Sequence, residues 1–309
     1  MSMSSIQVQV SDNVDGCCAM FNNCSSVLES TYKEHFYSKL KLGYPSTSDL
    51  TQAIRSRFQN PEQIQKQKIY FLVTLNNVDQ SIEFISTVQK TFEEYTSKLF
   101  DQESQSSREK LTSCLNDLAT VGSRFKTLLD YGFDQLTSNE LEPKIKQWCG
   151  VYSSINHKIT EEEYNLNETD DPFVQNFVKN LDLLISGFKD SLSEKNRETL
   201  TSLIASKTAI LFEKNIFKCS FSKYGGLQLD KEIRQLINYL TSQTTWSTRE
   251  KFSRLTQISI LLGLENLMEL FEYWNSPLAI TWRLTPNEIR QVLLLREDFK
   301  AEEVRNLKL

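Results

Sequence analysis

The sequence predicts an all-α protein, and three observations carry that expectation. Glycine and proline are scarce, nine Gly and six Pro among 309 residues, less than half of the roughly 12% that average usage gives. A β-sandwich, a barrel or a Gly-looped nucleotide fold needs many more residues that take positive φ or fix a turn. Long apolar stripes recur at steps of three and four, the spacing of one helix face. Period-two alternation is confined to the opening Ile6 to Val10. Length gives a prior of two domains, and a chain this long buries a sizeable core without disulfides or metals.

Val14 to Leu42 reads as loosely helical and stops at Gly43, Tyr44 and Pro45, a strong helix terminator. A short helix is expected next, before Asn60 and Pro61 restart the chain in the N-cap and N1 pattern. Phe71, Leu75, Val78, Ile82, Ile85, Val88, Phe92, Tyr95 and Leu99 then share one stripe with no Gly or Pro inside it, which predicts a helix of about 40 residues. After a polar break at Gln102 to Ser107, a second stripe runs through Leu111, Leu115, Leu118, Val121, Phe125, Leu128 and Phe133. Two long amphipathic helices with a short connection make an antiparallel hairpin.

The run Glu161, Glu162, Glu163, Glu168, Asp170 and Asp171 has no basic residue among it. Self-repulsion predicts an extended linker and a domain boundary there, giving 1–163 as a bundle with the hairpin and 164–309 as a second bundle. Asp171 and Pro172 start a helix through Phe173, Phe177, Leu181, Leu184 and Phe188, and another covers about Ser193 to Lys218. Gly225 and Gly226 are expected to turn the chain between helices. Ser247 with Glu250 and Thr285 with Glu288 both fit the capping box, with Pro286 at N1 of the second.

Chemistry is hard to find. Thirty-five Lys plus Arg against 40 Asp plus Glu leave a net charge of −5, with no basic stripe for nucleic acid. Cys17, Cys18, Cys24, Cys114, Cys149 and Cys219 show neither C-x-x-C nor a disulfide spacing and read as reduced, packed thiols. No stretch approaches the roughly 18 apolar residues of a membrane span, and the polar start lacks the regions of a signal peptide, so any membrane role is expected to run through partners. His35 and His157, the two histidines, sit in no ligand or HExxH spacing. Gly225-Gly226 fits neither a Walker loop nor a dinucleotide fingerprint. The acidic run lacks the alternation of a Ca²⁺ loop, and no G-x-S-x-G elbow occurs. No catalytic residue, cofactor or metal is expected. A helical interaction protein, a helical adaptor binding a small GTPase and an all-helical enzyme remain as function classes.

Two segments carry a resemblance. Gly225 to Gln257 reads GGLQLDKEIRQLINYLTSQTTWSTREKFSRLTQ, and Ile280 to Phe299 reads ITWRLTPNEIRQVLLLREDF. Together with FLVTLNNV at Phe71 to Val78, SCLNDLA at Ser113 to Ala119 and the Asp-Pro start at Asp171, in the same order, they resemble the C-terminal part of the fourth-subunit family of the conserved oligomeric Golgi complex. The likeness runs from about Asp15 to Leu309. The family carries a long N-terminal portion with no counterpart here, and the loop Asn275 to Ala279 is slightly shorter than the family's.

The resemblance implies two consecutive helical-bundle domains forming an elongated rod. It also implies a non-catalytic vesicle tether in retrograde intra-Golgi transport, which maintains Golgi glycosylation. Such a subunit lies peripherally on the cytoplasmic face of the Golgi membrane, partnered by the other subunits of the complex and by fusion (SNARE) machinery, with no nucleic acid and no small-molecule substrate. It further suggests that Arg254 in KFSRLTQ and Glu288 in LTPNEIR pair between helices. Glu288 is also N3 of the capping box and has two oxygens, enough to serve both roles.

Overall fold

The computed structural model describes residues 13–46, 61–100, 104–169, 171–274 and 282–309. The opening alternation, the short helix expected after Pro45, Asn60 and the loop 275–279 lie outside these. Among the described residues the chain is all-α, with one isolated parallel bridge between Phe221 and Arg296. Contacts divide it into two compact units, Met1–Glu140 and Leu141–Leu309.

The first unit opens with α1 (Val14–Val27), whose N-terminal Gly16 amide donates to the Asn13 side chain at 2.6 Å. A π-helical turn, Leu28–Lys33, leads into α2 (Glu34–Leu40), and Gly43 at φ 77° ends the segment. The long α3 (Pro61–Leu99) packs along α4 (Gln105–Leu136), which Ser104 caps. Every member of the second stripe is buried. The first stripe is buried at Phe71, Leu75, Val78 and Ile85 but leaves Tyr95 exposed, because coverage thins toward the end of α3. There α1 supplies the cover, with Val14, Cys17 and Phe21 meeting Phe100, Leu111, Cys114 and Leu115. At the other end Lys68 Nζ donates to Glu140 at 3.2 Å and lies 5.0 Å from the Tyr44 ring centroid. Both charged side chains are largely buried, so they desolvate together.

The second unit contains α5 (Glu142–Tyr152), α6 (Glu161–Thr169), α7 (Pro172–Ser186), α8 (Glu194–Ile216), α9 (Lys223–Ser242), a 3₁₀ turn (Arg249–Phe252), α10 (Ser253–Gly263), α11 (Glu269–Trp274), α12 (Pro286–Leu293) and α13 (Ala301–Arg305). Its core is aromatic, with Tyr152, Phe173 and Phe212 in mutual ring contact, Phe177 against Phe173 and Phe212, and His157 stacked on Phe221. Buried Arg296 ties α10 down by donating to the Leu262 and Leu264 carbonyls at 2.7 and 2.9 Å.

Two expectations, the extended acidic linker and the glycine turn, are corrected. The acidic run is helical over Glu161–Thr169: the Thr160 amide donates to Glu163 and the Glu163 amide to the Thr160 hydroxyl, while Glu161 to Glu163 stand in the first turn, where the helix dipole favours negative charge. The expected boundary at 163/164 is set beside a contact division at Glu140/Leu141: Ile145, Cys149 and Tyr152 of α5 are buried with α5 against α8, and α6 packs on α9. Gly225 and Gly226 form no turn. They lie in the first turn of α9, behind the N-cap Ser222, where a Cβ on either would overlap the backbone carbonyl oxygen of His157 or Leu262. A further departure is Ser247 with Glu250: the 3₁₀ turn starts after Thr248 with no side-chain cap, and the Thr248 hydroxyl meets Thr241 at 2.9 Å.

Candidate functional site

Two polar centres stand out in the second unit. The first gathers Arg254 from α10, Glu213 from α8 and Glu288 from α12. Thr285 caps α12: its hydroxyl accepts from the Glu288 amide at 3.3 Å, and Glu288 Oε2 accepts from the Thr285 amide at 2.8 Å. That local motif aims Oε1 outward, where Arg254 Nη2 donates to it at 2.7 Å. The same guanidinium donates through Nε and Nη2 to Glu213, the closest contact being 2.7 Å, and through Nη1 to the Arg283 carbonyl at 3.1 Å. The side chains of Arg254, Glu288 and Glu213 are 35%, 31% and 20% exposed, so solvent screens the cluster without dissolving it. The Arg254 bond, followed by the Thr285 amide, pulls the Glu288 carboxyl down to about 2, and the two carboxylates raise the Arg254 guanidinium further. Its chemistry is to hold three helices by one planar fork.

Sequence reasoning named Arg254 and Glu288 but missed Glu213. Glu213 lies 41 residues before Arg254 with no local motif to mark it; its place follows from how α8 lies against the 3₁₀ turn that leads into α10.

The second centre has no sequence signal. A cavity of about 380 Å³ opens beside α5, α7 and α9, lined by Trp148, Phe173 and Phe177 and, deeper, by Asp171, Gln228 and Glu232. Glu232 is 4% exposed, and burial, followed by the charge of Asp171, pushes its carboxyl well above the usual range. Burial also raises Asp171, against the pull of the Val174 amide and Lys231. The Asp171 carboxylate caps α7 by accepting from the Val174 amide at 3.2 Å and accepts from the Gln228 side-chain amide through its other oxygen. Glu232 Oε2, Gln228 Oε1 and the Tyr152 hydroxyl are buried without a hydrogen bond of good geometry, though Tyr152 and Gln228 both lie close enough to Glu232 to interact with its carboxyl. Burial, with Glu232 beside it, raises the Tyr152 phenol well above its ordinary value.

Among the described residues no group of three or more His, Cys, Asp or Glu could hold a metal ion. His35 is exposed, whereas His157 is packed with its Nε2 at 2.8 Å from the Tyr152 carbonyl oxygen. The six cysteines form no disulfide.

Among the described residues these features define an all-helical protein of two compact units, the second of which holds two polar centres. The family model for "Conserved oligomeric Golgi complex subunit 4, C-terminal" matches residues 71–291. Conserved oligomeric Golgi complex subunit 4 of Mus musculus is 41% identical over 97% of this chain and 40% of its own length, and that of Drosophila melanogaster 39% over 96% and 40%. The Arabidopsis thaliana protein of the same name is 35% identical over 76% of this chain and 32% of its own length. The chain belongs to the family of the fourth subunit of the conserved oligomeric Golgi complex. It spans about two fifths of the length of the animal relatives it matches. A chain in the "Structure of Myo2-GTD in complex with Smy1" aligns over 95% of this chain and 84% of its own at 13% identity and a TM-score of 0.49, too distant a likeness to bear on function.

Proposed function

We propose that this chain acts as the C-terminal portion of a Golgi vesicle-tethering subunit, non-catalytic, in retrograde intra-Golgi transport and the upkeep of Golgi glycosylation. The alignment across 97% of the chain at 41% identity carries this reading. Its partners are the other subunits of the complex and the fusion (SNARE) machinery, and it sits peripherally on the cytoplasmic face of the Golgi membrane. Among the described residues no helix is long and apolar enough to cross a membrane, which agrees with attachment through partners. The two compact units serve as the two consecutive bundle domains of that portion, and the Arg254 and Glu288 pair, with Glu213, as a structural clamp.

A graft tests the reading. In cells lacking the fourth subunit, a chimera is expressed in which this chain replaces the C-terminal portion of a full-length homologue. Recovery of the other subunits by affinity capture and restoration of Golgi glycosylation are expected. A stable chimera that captures the complex but leaves glycosylation defective overturns the assigned role, and so does capture of a nucleotide-bound small GTPase in place of the complex.

A further inference from the structure

The packing of α1 on α4 sets two cysteines beside each other, a feature that vesicle tethering does not use. On α1 the packing face is Val14, Cys17, Cys18 and Phe21; on α4 it is Leu111, Cys114, Leu115 and Leu118, at the same helical steps. Two ion pairs fix the register between them. Lys110 donates to Asp15 at 3.3 Å and Arg124 donates to Glu29, and each pair is 95 residues apart in the chain. A constant offset means that the two segments run parallel and rise at the same rate. Between these pins the offset carries residue 18 to residue 113, one position from Cys114, and residue 17 to the exposed Thr112. Cys18 is accordingly packed against the cluster that holds Cys114, and the two thiols are hydrogen-bonding neighbours. Cys24 stands outside that cluster.

The two thiols differ in what can reach them. Cys114 is 8% exposed, and burial, followed by Cys18 and Asp117, pushes its thiol up to about 11. It stays protonated and starts no reaction of its own. Cys18 is half-buried, so a small oxidant in solvent reaches it first. Cys17 is 1% exposed, and adjacent side chains on a helix diverge by about 100°, which sets Cys17 and Cys18 badly for each other.

We propose that Cys18 and Cys114 form a reversible, peroxide-driven disulfide that staples α1 to α4. The Cys18 sulfur attacks an oxygen of hydrogen peroxide, the O–O bond breaks, and Cys18 becomes a sulfenic acid with release of water. The Cys114 sulfur then attacks the Cys18 sulfur. The S–S bond forms, the S–O bond breaks, and the Cys114 proton leaves with the hydroxide as a second water. Two thiols lose two electrons, and the peroxide is reduced to two waters. A small dithiol reverses the bond by exchange. The bridge closes a loop of roughly 100 residues, a strong constraint on the unfolded chain, at the end of the hairpin that α1 covers. In a reducing compartment such a bond is transient, so it fastens α1 under oxidant and releases it afterwards.

The test treats the 309-residue chain with hydrogen peroxide, blocks it with N-ethylmaleimide and digests it without reductant for mass spectrometry. One linked peptide pair, Cys18 to Cys114, short of two hydrogens, is expected. The thermal midpoint should rise by several degrees, and dithiothreitol should undo both changes. Cys114→Ala should stop at the Cys18 sulfenic acid, captured by dimedone, and Cys18→Ser should leave Cys114 a thiol; Cys24→Ser should behave as the parent. Dimedone capture separates a reacting pair from cysteines that only pack. The linkage in the parent decides on its own, so a variant that fails to fold removes no outcome. A folded, oxidised parent without the Cys18 to Cys114 link overturns the proposal, as does a link in which Cys17 replaces either partner, or one that forms without raising the midpoint.

Discussion

Glu232 and Arg254 show how differently one buried charge and one braced charge are expected to behave. A carboxyl whose folded pKa is raised contributes stability that is fully present below its ordinary pKa, about 4.3, and lost as pH rises toward the folded value. Glu232 and Asp171 both lie on that side. Glu288, pulled down to about 2, does the opposite: its contribution is present above the ordinary pKa and lost as pH falls toward 2. Glu232→Gln removes the first effect, so its thermal midpoint should exceed the parent's at pH 8, with the gap closing toward pH 5. A gap independent of pH would show that Glu232 is not the strained group. Arg254→Ala leaves Glu213 and Glu288 side by side without their cation. An exposed pair is worth about 0–1 kcal/mol, and breaking a fully buried one costs about 3–5. With a third of the Arg254 side chain in water, about 2 kcal/mol is expected, between those limits, read as a midpoint several degrees lower. Glu288→Gln, which keeps an oxygen for the Thr285 cap, should lose less. An Arg254→Ala midpoint at the parent's value would mean that the three-residue clamp braces nothing.

At the scale of elements, the start of α9 carries the sharpest expectation. Gly to Ala inside a helix normally stabilises by about 0.5–1 kcal/mol, and Gly150→Ala in α5, with open space around it, should follow that rule. Gly226→Ala should reverse it, losing about 3 kcal/mol or more, because the added methyl meets the Leu262 carbonyl, a backbone atom that cannot swing aside as a side chain can. Urea titrations of the two variants compare them directly, and Gly226→Ala as stable as Gly150→Ala would disprove the close approach. This position also marks where sequence reading stopped. Caps and stripes were legible because they are local: Asp171 with Pro172, Ser193, and Thr285 with Glu288 begin α7, α8 and α12 as their chemistry requires. The Gly pair was not, since its reason lies across space in residues 157 and 262. The acidic run misleads for a related reason: the repulsion among its carboxylates is offset by the helix dipole and by the Thr160 cap. Glu213 and Glu232 were invisible because a carboxylate on a helix carries no mark of what another helix will set beside it.

For the molecule as a whole, the two placements of the domain division make opposite predictions about which fragment folds. If the acidic run were a linker, residues 164–309 would be a complete bundle. The contacts instead assign α5 to the second unit, where Ile145, Cys149 and Tyr152 are all fully buried. Tyr152 is in ring contact with His157, Phe173 and Phe212, so deleting α5 opens the centre of the aromatic core. Removing one large buried aromatic costs about 3–5 kcal/mol, and a domain is stable by only about 5–15; loss of three buried side chains together exceeds what it can absorb. A fragment of residues 141–309 is therefore expected to be soluble, with a helical far-UV spectrum and one cooperative thermal transition. A fragment of residues 164–309 should aggregate, or should keep helix while melting without cooperativity and binding a hydrophobic dye. Cooperative melting of the shorter fragment would move the boundary back to the acidic run and show α5 to be dispensable to the core that holds Glu232.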